Sequence, residues 1–404
     1  MKFVENISPQ AHDEFVKKSP LNHLLQSSTW AKVKDNWGSA IVGVKNEHDE
    51  LVASALVLIK HLPLGLTMIY TPKGPILDYT NQELVNFFFV SFKKWAKKQN
   101  ALFIKFDPAV IYRSGKVGGE SVANPAASEI IENIKSVGAE HLGFNLKMSE
   151  TIQPRFQANE PLSALVNQIY PKHTNRIMKD AKKRGVTGRR ATIDALKAFS
   201  AVVNKTETRK GVSLRNFDYF QQLMTLYGED AYLHIAEINL FEKYHELKNQ
   251  LETIETDIAN TPENQKKRFN RLNDQKRSVE KYLAELSQHD CSQNVPTVIA
   301  GILSIKFGGT LEMLYAGMDD DFKKFYPQYL LYPIAFNEGF EDGCLWGNMG
   351  GVEGTLDDGL SKFKSNFNPD IQELIGEFNL PVNRLLYKLS NFAYKLRKRR
   401  NAHD

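Results

Sequence analysis

LFEKYHELKNQLETIETDIANTPENQKKRFNRLNDQKRSVEKYLAELSQH, residues 240–289, is the stretch around which the rest of the chain organises itself. Tyr244, Leu247, Leu251, Ile254 and Ile258 alternate spacings of three and four residues amid charge, which predicts one coiled-coil helix. The breaker ANTPEN at 259–264 ends it, and Leu272, Lys276, Val279, Leu283 and Leu286 then repeat the spacing, with Lys276 interrupting the apolar seam. An antiparallel helical hairpin is expected. Each helix of about 20 residues reaches roughly 30 Å, so the hairpin should stand off the globular body as an arm.

On the N-terminal side, strand-like runs such as AIVGV at 40–44 and ALFIKF at 101–106 alternate with a helical stretch from Leu84 to Lys98. A second set begins after TIQPR at 151–155. It has helices near 173–184 and 193–209 and strands near 231–238 and 296–306, on either side of the arm. The rhythm predicts two α/β units in tandem, as does a length of 404 residues, more than a single core organises.

Composition narrows the function classes. With 42% hydrophobic and 25% charged residues the chain can fill real cores. The opening MKFVENISPQAHDEF lacks the apolar stretch of an export signal, so a cytoplasmic location is expected. Leu51–Ile59, the longest aliphatic run, is about half the ~20 residues of a membrane-crossing helix and reads as a buried strand. Cys291 and Cys344 form no CxxC and read as reduced thiols. The scattered histidines form no HExxH, so neither a metal nor another cofactor is expected. Phosphate-loop, GxSxG and kinase signatures are missing, and GGVEG at 350–354 signals only a tight turn.

The net charge of +5 is mild but concentrated. One basic segment is the arm's second helix. Another is KHTNRIMKDAKKRG at 172–185, where Thr174 is a helix-cap candidate and Arg176, Lys179 and Lys183 share a face that suits phosphates or stands merely solvated. The third runs from Arg384 to Arg400, where Leu385, Leu386, Leu389, Phe392 and Leu396 lie among Lys388, Lys395 and the run Arg397, Lys398, Arg399, Arg400. It reads as a basic amphipathic helix for an anionic membrane surface, for RNA, or for docking on its own domain.

A set of phrases in fixed order resembles the Fem ligases, most closely the MurM-type branching enzymes. They are LQSSTWAKVKDNW (25–37), YTPKGPILDY (70–79), FDP (106–108), TIQPR (151–155), the 172–185 helix, LRNFDYF (214–220), YAGMDDDFKKFYP (315–327), NMGGVEG (348–354), FKSNF (363–367) and IGEF (375–378). The resemblance implies two acetyltransferase-like (GNAT) domains. The first would span 1–150 and be completed by 374–404; the second would span 151–373 and carry the arm at 240–289 as an insertion. It also implies aminoacyl-tRNA as donor, and as acceptor lipid II or its soluble precursor UDP-MurNAc-pentapeptide. Alanine, serine and glycine all occur as the transferred residue among such enzymes.

Site residues follow from the same resemblance, position by position. Lys34, Asp35, Asn36 and Trp37 match the segment that holds the diphosphate and muramyl end of the acceptor. Arg215 and Tyr219 match further acceptor contacts, with Arg215 as the phosphate clamp because a guanidinium offers paired donors; Tyr315 matches another. Phe363 and Lys364 match a pair beside the reacting ester, where a fixed cation stabilises an oxyanion. Asp107 matches an aspartate near the reacting amine, able to orient the ammonium or accept its proton. Phe103 departs from relatives that carry a hydroxylated aromatic there.

The chemistry is coherent with what is missing. A lysine amine of pKa about 10.4 must lose a proton before it attacks, while an aminoacyl ester arrives already activated, so no ATP motif is needed. The reading requires Lys34, Arg215, Tyr315 and Lys364 to border one groove. The competing expectations are an acyl-CoA-dependent N-acetyltransferase, which the fold permits, and a noncatalytic, membrane-peripheral RNA-binding protein built on the three basic segments. The arm is either a spacer or dimerisation element or a contact to tRNA.

Overall fold

The computed structural model describes residues 1–163, 170–210 and 215–390. The architecture is α/β: two units in tandem, each built on one mixed sheet, with an antiparallel helical hairpin inserted in the second.

The first sheet runs, in spatial order, Lys2–Val4, Gly38–Lys45, Leu51–His61, Thr67–Thr71, Ala101–Phe106, Phe378–Pro381 and Glu140–His141, with Ile76–Leu77 also pairing to Leu51–His61. The predicted buried strand is there, and Ala53 to Leu58 are buried on both faces. One face packs against helix Gln82–Lys98, whose Leu84, Val85, Phe88, Phe89, Phe92 and Trp95 recur at helical spacing and are buried. The Asn81 side chain accepts from the Leu84 N–H at 3.0 Å, which satisfies an otherwise unpaired donor at the helix start.

The second sheet runs Val186–Ala191, Ala231–Ile238, Thr297–Phe307, Thr310–Met318, Trp346–Val352, Phe156–Pro161, Asp370–Leu374, Ile111–Lys116 and Ser121–Ala123. The chain therefore exchanges strands between units: an early hairpin at 111–123 joins the second sheet, and the late strand Phe378–Pro381 joins the first. An apolar cluster then spans both units. Trp30, Val33, Leu56, Leu58 and Tyr70 from the first pack with Phe199, Phe220, Leu233, Ile235, Leu303 and Ile305 from the second.

Each sheet is antiparallel except at one strand pair, and those two pairs position the site. In the first sheet Thr67–Thr71 runs parallel to Ala101–Phe106. In the second, Thr310–Met318 and Trp346–Val352 are parallel but paired only from Thr310 to Glu312, after which the two strands part.

The hairpin consists of Leu240–Ala259 and Lys266–Leu286. Its seam buries Leu247, Ile254, Leu272, Val279 and Leu286, and Lys276 in mid-seam reaches Glu255 at 2.7 Å. Thr174 does not cap the basic helix. That helix runs Lys172–Lys183 with Pro171 at its N-cap, and the Thr174 hydroxyl, one turn inside, donates to the Asn366 carbonyl. Residues 384–390 are helical; Phe392, Lys395, Leu396 and Arg397 to Arg400 of the basic tail lie outside the described residues. Among the described residues no helix is long and apolar enough to cross a membrane.

Candidate active site

Helix Ser28–Val33 ends at Lys34, and the next three residues turn the chain into strand Gly38–Lys45. That turn presents Lys34, Asp35, Asn36 and Trp37 to a cavity of about 610 Å³, closed on its far side by Arg215, Tyr219 and Gln222. Six of the expected acceptor residues therefore share one wall system. The Arg215 guanidinium lies 5.0 Å over the Tyr219 ring, and the Tyr219 hydroxyl is 3.2 Å from that of Tyr315. Tyr315 is the member underneath, packed edge-on against both Tyr219 and Phe220. Two cations held close together in a partly buried cavity favour an anion: burial and then the charge of Arg215 push the Lys34 ammonium below its ordinary range.

The base of this cavity is made by Tyr70 with Ile152 and Gln153 of the TIQPR segment. The segment is pinned on both sides. Glu377 accepts from the Ile152 N–H and pairs with Lys105 at 2.7 Å. Arg155, 4% exposed, donates to Glu373 at 2.6 Å and lies 4.4 Å over the Phe156 ring.

Lys364 does not line that cavity. It sits on helix Gly359–Ser365, is 5% exposed, and its Nζ donates to the Gly351 carbonyl at 2.8 Å, where the two parallel strands of the second sheet have parted. Beside it lies a second cavity of about 780 Å³ lined by Phe363, Tyr329, Ala316, Gly317 and Met148, whose lining includes neither Lys364 nor Gly351. The single groove expected to join Lys34, Arg215, Tyr315 and Lys364 is not found: Lys34 and Arg215 line the first cavity, and Tyr315 and Lys364 line neither. The segment from Met148 to Gln153 gives Met148 to the second cavity and Ile152 and Gln153 to the first, while Ala316 and Gly317, next to Tyr315 on its strand, line the second. The coupling is tight at Gly351, where any Cβ would come within 2.4 Å of the Pro154 ring.

Asp107 borders neither cavity. It follows directly on strand Ala101–Phe106, is 3% exposed, and lies 3.0 Å from Lys73 Nζ. Burial raises its carboxyl above the ordinary range, and the Lys73 ammonium opposes that rise. Around Lys73 the two units meet: its Nζ reaches the Pro154 carbonyl at 3.4 Å, and its charge acts on His23 and on Glu312, which lie 3.7 Å apart. Burial pushes Glu312 up to about 8 and His23 down to about 3. Sequence reasoning missed Tyr70, Lys73, Gln153 and Glu312 as site residues, although YTPKGP and TIQPR, which hold the first three, stood among the phrases it singled out.

Phe103 packs its ring against Tyr387 at 5.3 Å, and Tyr387 donates to Glu140 at 2.9 Å, so the first turn of the C-terminal helix docks on the first sheet. Leu385 and Leu389 on it stay exposed. Arg176, Lys179 and Lys183 are exposed and reach neither cavity. Their helix nonetheless touches the Lys364 segment through Thr174 and Asn366, and the arm through Arg184, which pairs with Glu285 at 2.7 Å.

The FemAB family profile matches residues 7–395. The aminoacyltransferase FemA of Staphylococcus epidermidis is 26% identical, over 98% of this chain and 100% of its own. A lipid II:glycine glycyltransferase of Staphylococcus aureus is 28% identical, over 95% of this chain and 94% of its own. The crystal structure of FemX superposes with a TM-score of 0.77 at 26% identity, covering 96% of this chain and 99% of that one.

Proposed function

The chain belongs to the FemAB family, and from that premise we propose that it transfers alanine, serine or glycine from aminoacyl-tRNA to the ε-amine of the stem-peptide lysine in lipid II or UDP-MurNAc-pentapeptide, building the peptidoglycan interpeptide branch. The observation that carries the reading is the pairing of Lys34 with Arg215 across a cavity whose far end reaches the TIQPR segment. A diphosphate at the Lys34–Arg215 end leaves the peptide to run toward Tyr70 and Gln153.

In this reading Arg215 and Lys34 hold the diphosphate, and Asp35, Asn36, Trp37, Tyr219 and Tyr315 shape the muramyl subsite. The aminoacyl end of the donor enters the second cavity beside Phe363. The unprotonated amine attacks the ester carbonyl, negative charge gathers on the carbonyl oxygen near Lys364, and collapse expels the terminal ribose hydroxyl, which leaves with a proton. Arg176, Lys179 and Lys183 are offered to tRNA phosphates, and the basic C-terminal helix is offered to an anionic membrane face. No cofactor enters the step.

Masses of muropeptides from cells with and without the protein test this. The expected result is loss of one branch residue from every cross-link that needs it; identical muropeptide masses would contradict the proposal.

A further inference from the structure

The aspartate expected beside the reacting amine has no free face. Asp107 Oδ1 accepts from the Tyr70 hydroxyl at 2.9 Å and from the Lys73 backbone N–H at 3.1 Å, while Oδ2 faces Lys73 Nζ at 3.0 Å. Tyr70 stands between this carboxylate and the acceptor cavity, and it is Tyr70, with Gln153 hydrogen-bonded to it, that lines the cavity.

We infer that Tyr70 is the group that touches the acceptor's lysine amine, and that Asp107 is a positioning residue acting on the amine only through Tyr70. The inference rests on the function proposed above. A phenol whose O–H is committed to a carboxylate can only accept at its oxygen, and the carboxylate polarises it into a stronger acceptor; Gln153 donates to one of its two lone pairs and leaves the other. Such an oxygen accepts an N–H of the amine and fixes the direction of the nitrogen lone pair. Tyr70 does not take the proton, because burial and then the Asp107 charge raise its phenol well above the ordinary range. Lys73 locks Asp107 from behind and, by reaching the Pro154 carbonyl, ties this dyad to the segment that packs against Gly351, the anchor of Lys364. The amine-orienting group and the cation proposed for the oxyanion thereby share one rigid support.

Tyr70→Phe removes one hydroxyl and keeps the ring, so it tests contact without emptying the cavity. With purified full-length protein, titrations use UDP-MurNAc-pentapeptide and an analogue carrying norleucine in place of the stem lysine. Tyr70→Phe should weaken binding of the lysine form and lower kcat/KM for it roughly ten-fold, while leaving the norleucine form bound as tightly as by wild type. Asp107→Asn should show the same split, and the double variant should lose no more than the worse single. Equal loss for both acceptors in Tyr70→Phe, or wild-type kinetics with the lysine form, would overturn the inference. Should Asp107→Asn fail to fold, the Tyr70→Phe comparison decides alone. Wild-type protein that transfers nothing would remove the proposed function and this inference with it, whereas active wild type with an indifferent Tyr70→Phe removes only the inference.

Discussion

Lys73 Nζ and Asp107 Oδ2 face each other at 3.0 Å just beyond the end of the parallel pair Thr67–Thr71 and Ala101–Phe106. Lys73 lies two residues past one strand and Asp107 directly after the other, and they are 1% and 3% exposed. In the second sheet the strands part beyond Glu312 and Asn348, and the buried Lys364, donating to the Gly351 carbonyl, sits there. One fork is closed by an ion pair and the other by a lysine held on a backbone carbonyl.

A buried ion pair of this kind is costly to halve. Lys73→Met leaves the Asp107 carboxylate without its counter-charge and is expected to destabilise by about 3–5 kcal/mol, whereas Lys73→Met with Asp107→Leu should recover much of that loss. Urea midpoints of the two variants measure it; a double variant as unstable as the single would contradict it.

Lys364→Ala should lower the rate of transfer by about a hundred-fold or more with the acceptor KM nearly unchanged, since a fixed cation at a developing oxyanion acts in the transition state alone. Single-turnover kinetics at saturating donor provide the readout, with a melting curve to check that the Gly351 strand is intact. An active Lys364→Ala enzyme removes the assigned role.

For the diphosphate end, Arg215→Ala should weaken UDP-MurNAc-pentapeptide binding by roughly ten- to a hundred-fold, as expected for a lost charge-assisted contact. Arg215→Lys should recover only part, because an ammonium lacks the paired planar donors and stacks poorly on the Tyr219 ring, over which the guanidinium lies at 5.0 Å. Calorimetric titration separates these outcomes, and full recovery by lysine would count against a clamp.

Glu312 gives the stability a pH dependence. Its carboxyl stays protonated in the fold up to about 8, while in the unfolded chain it ionises from about 4.5. Its contribution is therefore complete below pH 4.5, declines through neutrality and is lost above 8, a swing on the order of 5 kcal/mol. His23, held neutral down to about 3, acts oppositely: its contribution is present above 6.5 and declines as the pH falls below that. Glu312→Gln should gain stability relative to wild type as pH rises from 5 to 8, measured as melting temperature across that range. Parallel curves would show that the carboxyl is ionised in the fold.

The elements that could be read from the chain are those whose signal is local. The arm's heptads, the helix with its phenylalanines at three- and four-residue spacing, and the Leu51–Ile59 run each announce a buried face within one element. The TIQPR segment and YTPKGP stood out as phrases, but their roles depend on partners far along the chain. Thr174 looks like a cap because its hydroxyl has no visible competitor, and the competitor is the Asn366 carbonyl, 192 residues away. Asp107 reads as a group facing substrate because nothing nearby in sequence predicts that the parallel register sets Lys73 against it. The failure of the expected groove has the same origin: Lys364 sits on a helix of one unit and Lys34 at the end of a helix of the other, and only residues 148–154, which give Met148 to one cavity and Ile152 and Gln153 to the other, show how the two cavities adjoin.

The account turns on acyl transfer from charged tRNA to the acceptor's lysine amine, and one measurement addresses it: the mass of lipid II or UDP-MurNAc-pentapeptide after incubation with purified protein and tRNA charged in turn with alanine, serine or glycine, set beside the same reaction with acetyl-CoA. The predicted result is an acceptor heavier by one amino-acid residue on its stem lysine, formed from charged tRNA and not from acetyl-CoA. An acceptor of unaltered mass with every charged tRNA, or one acetylated by acetyl-CoA, would contradict it.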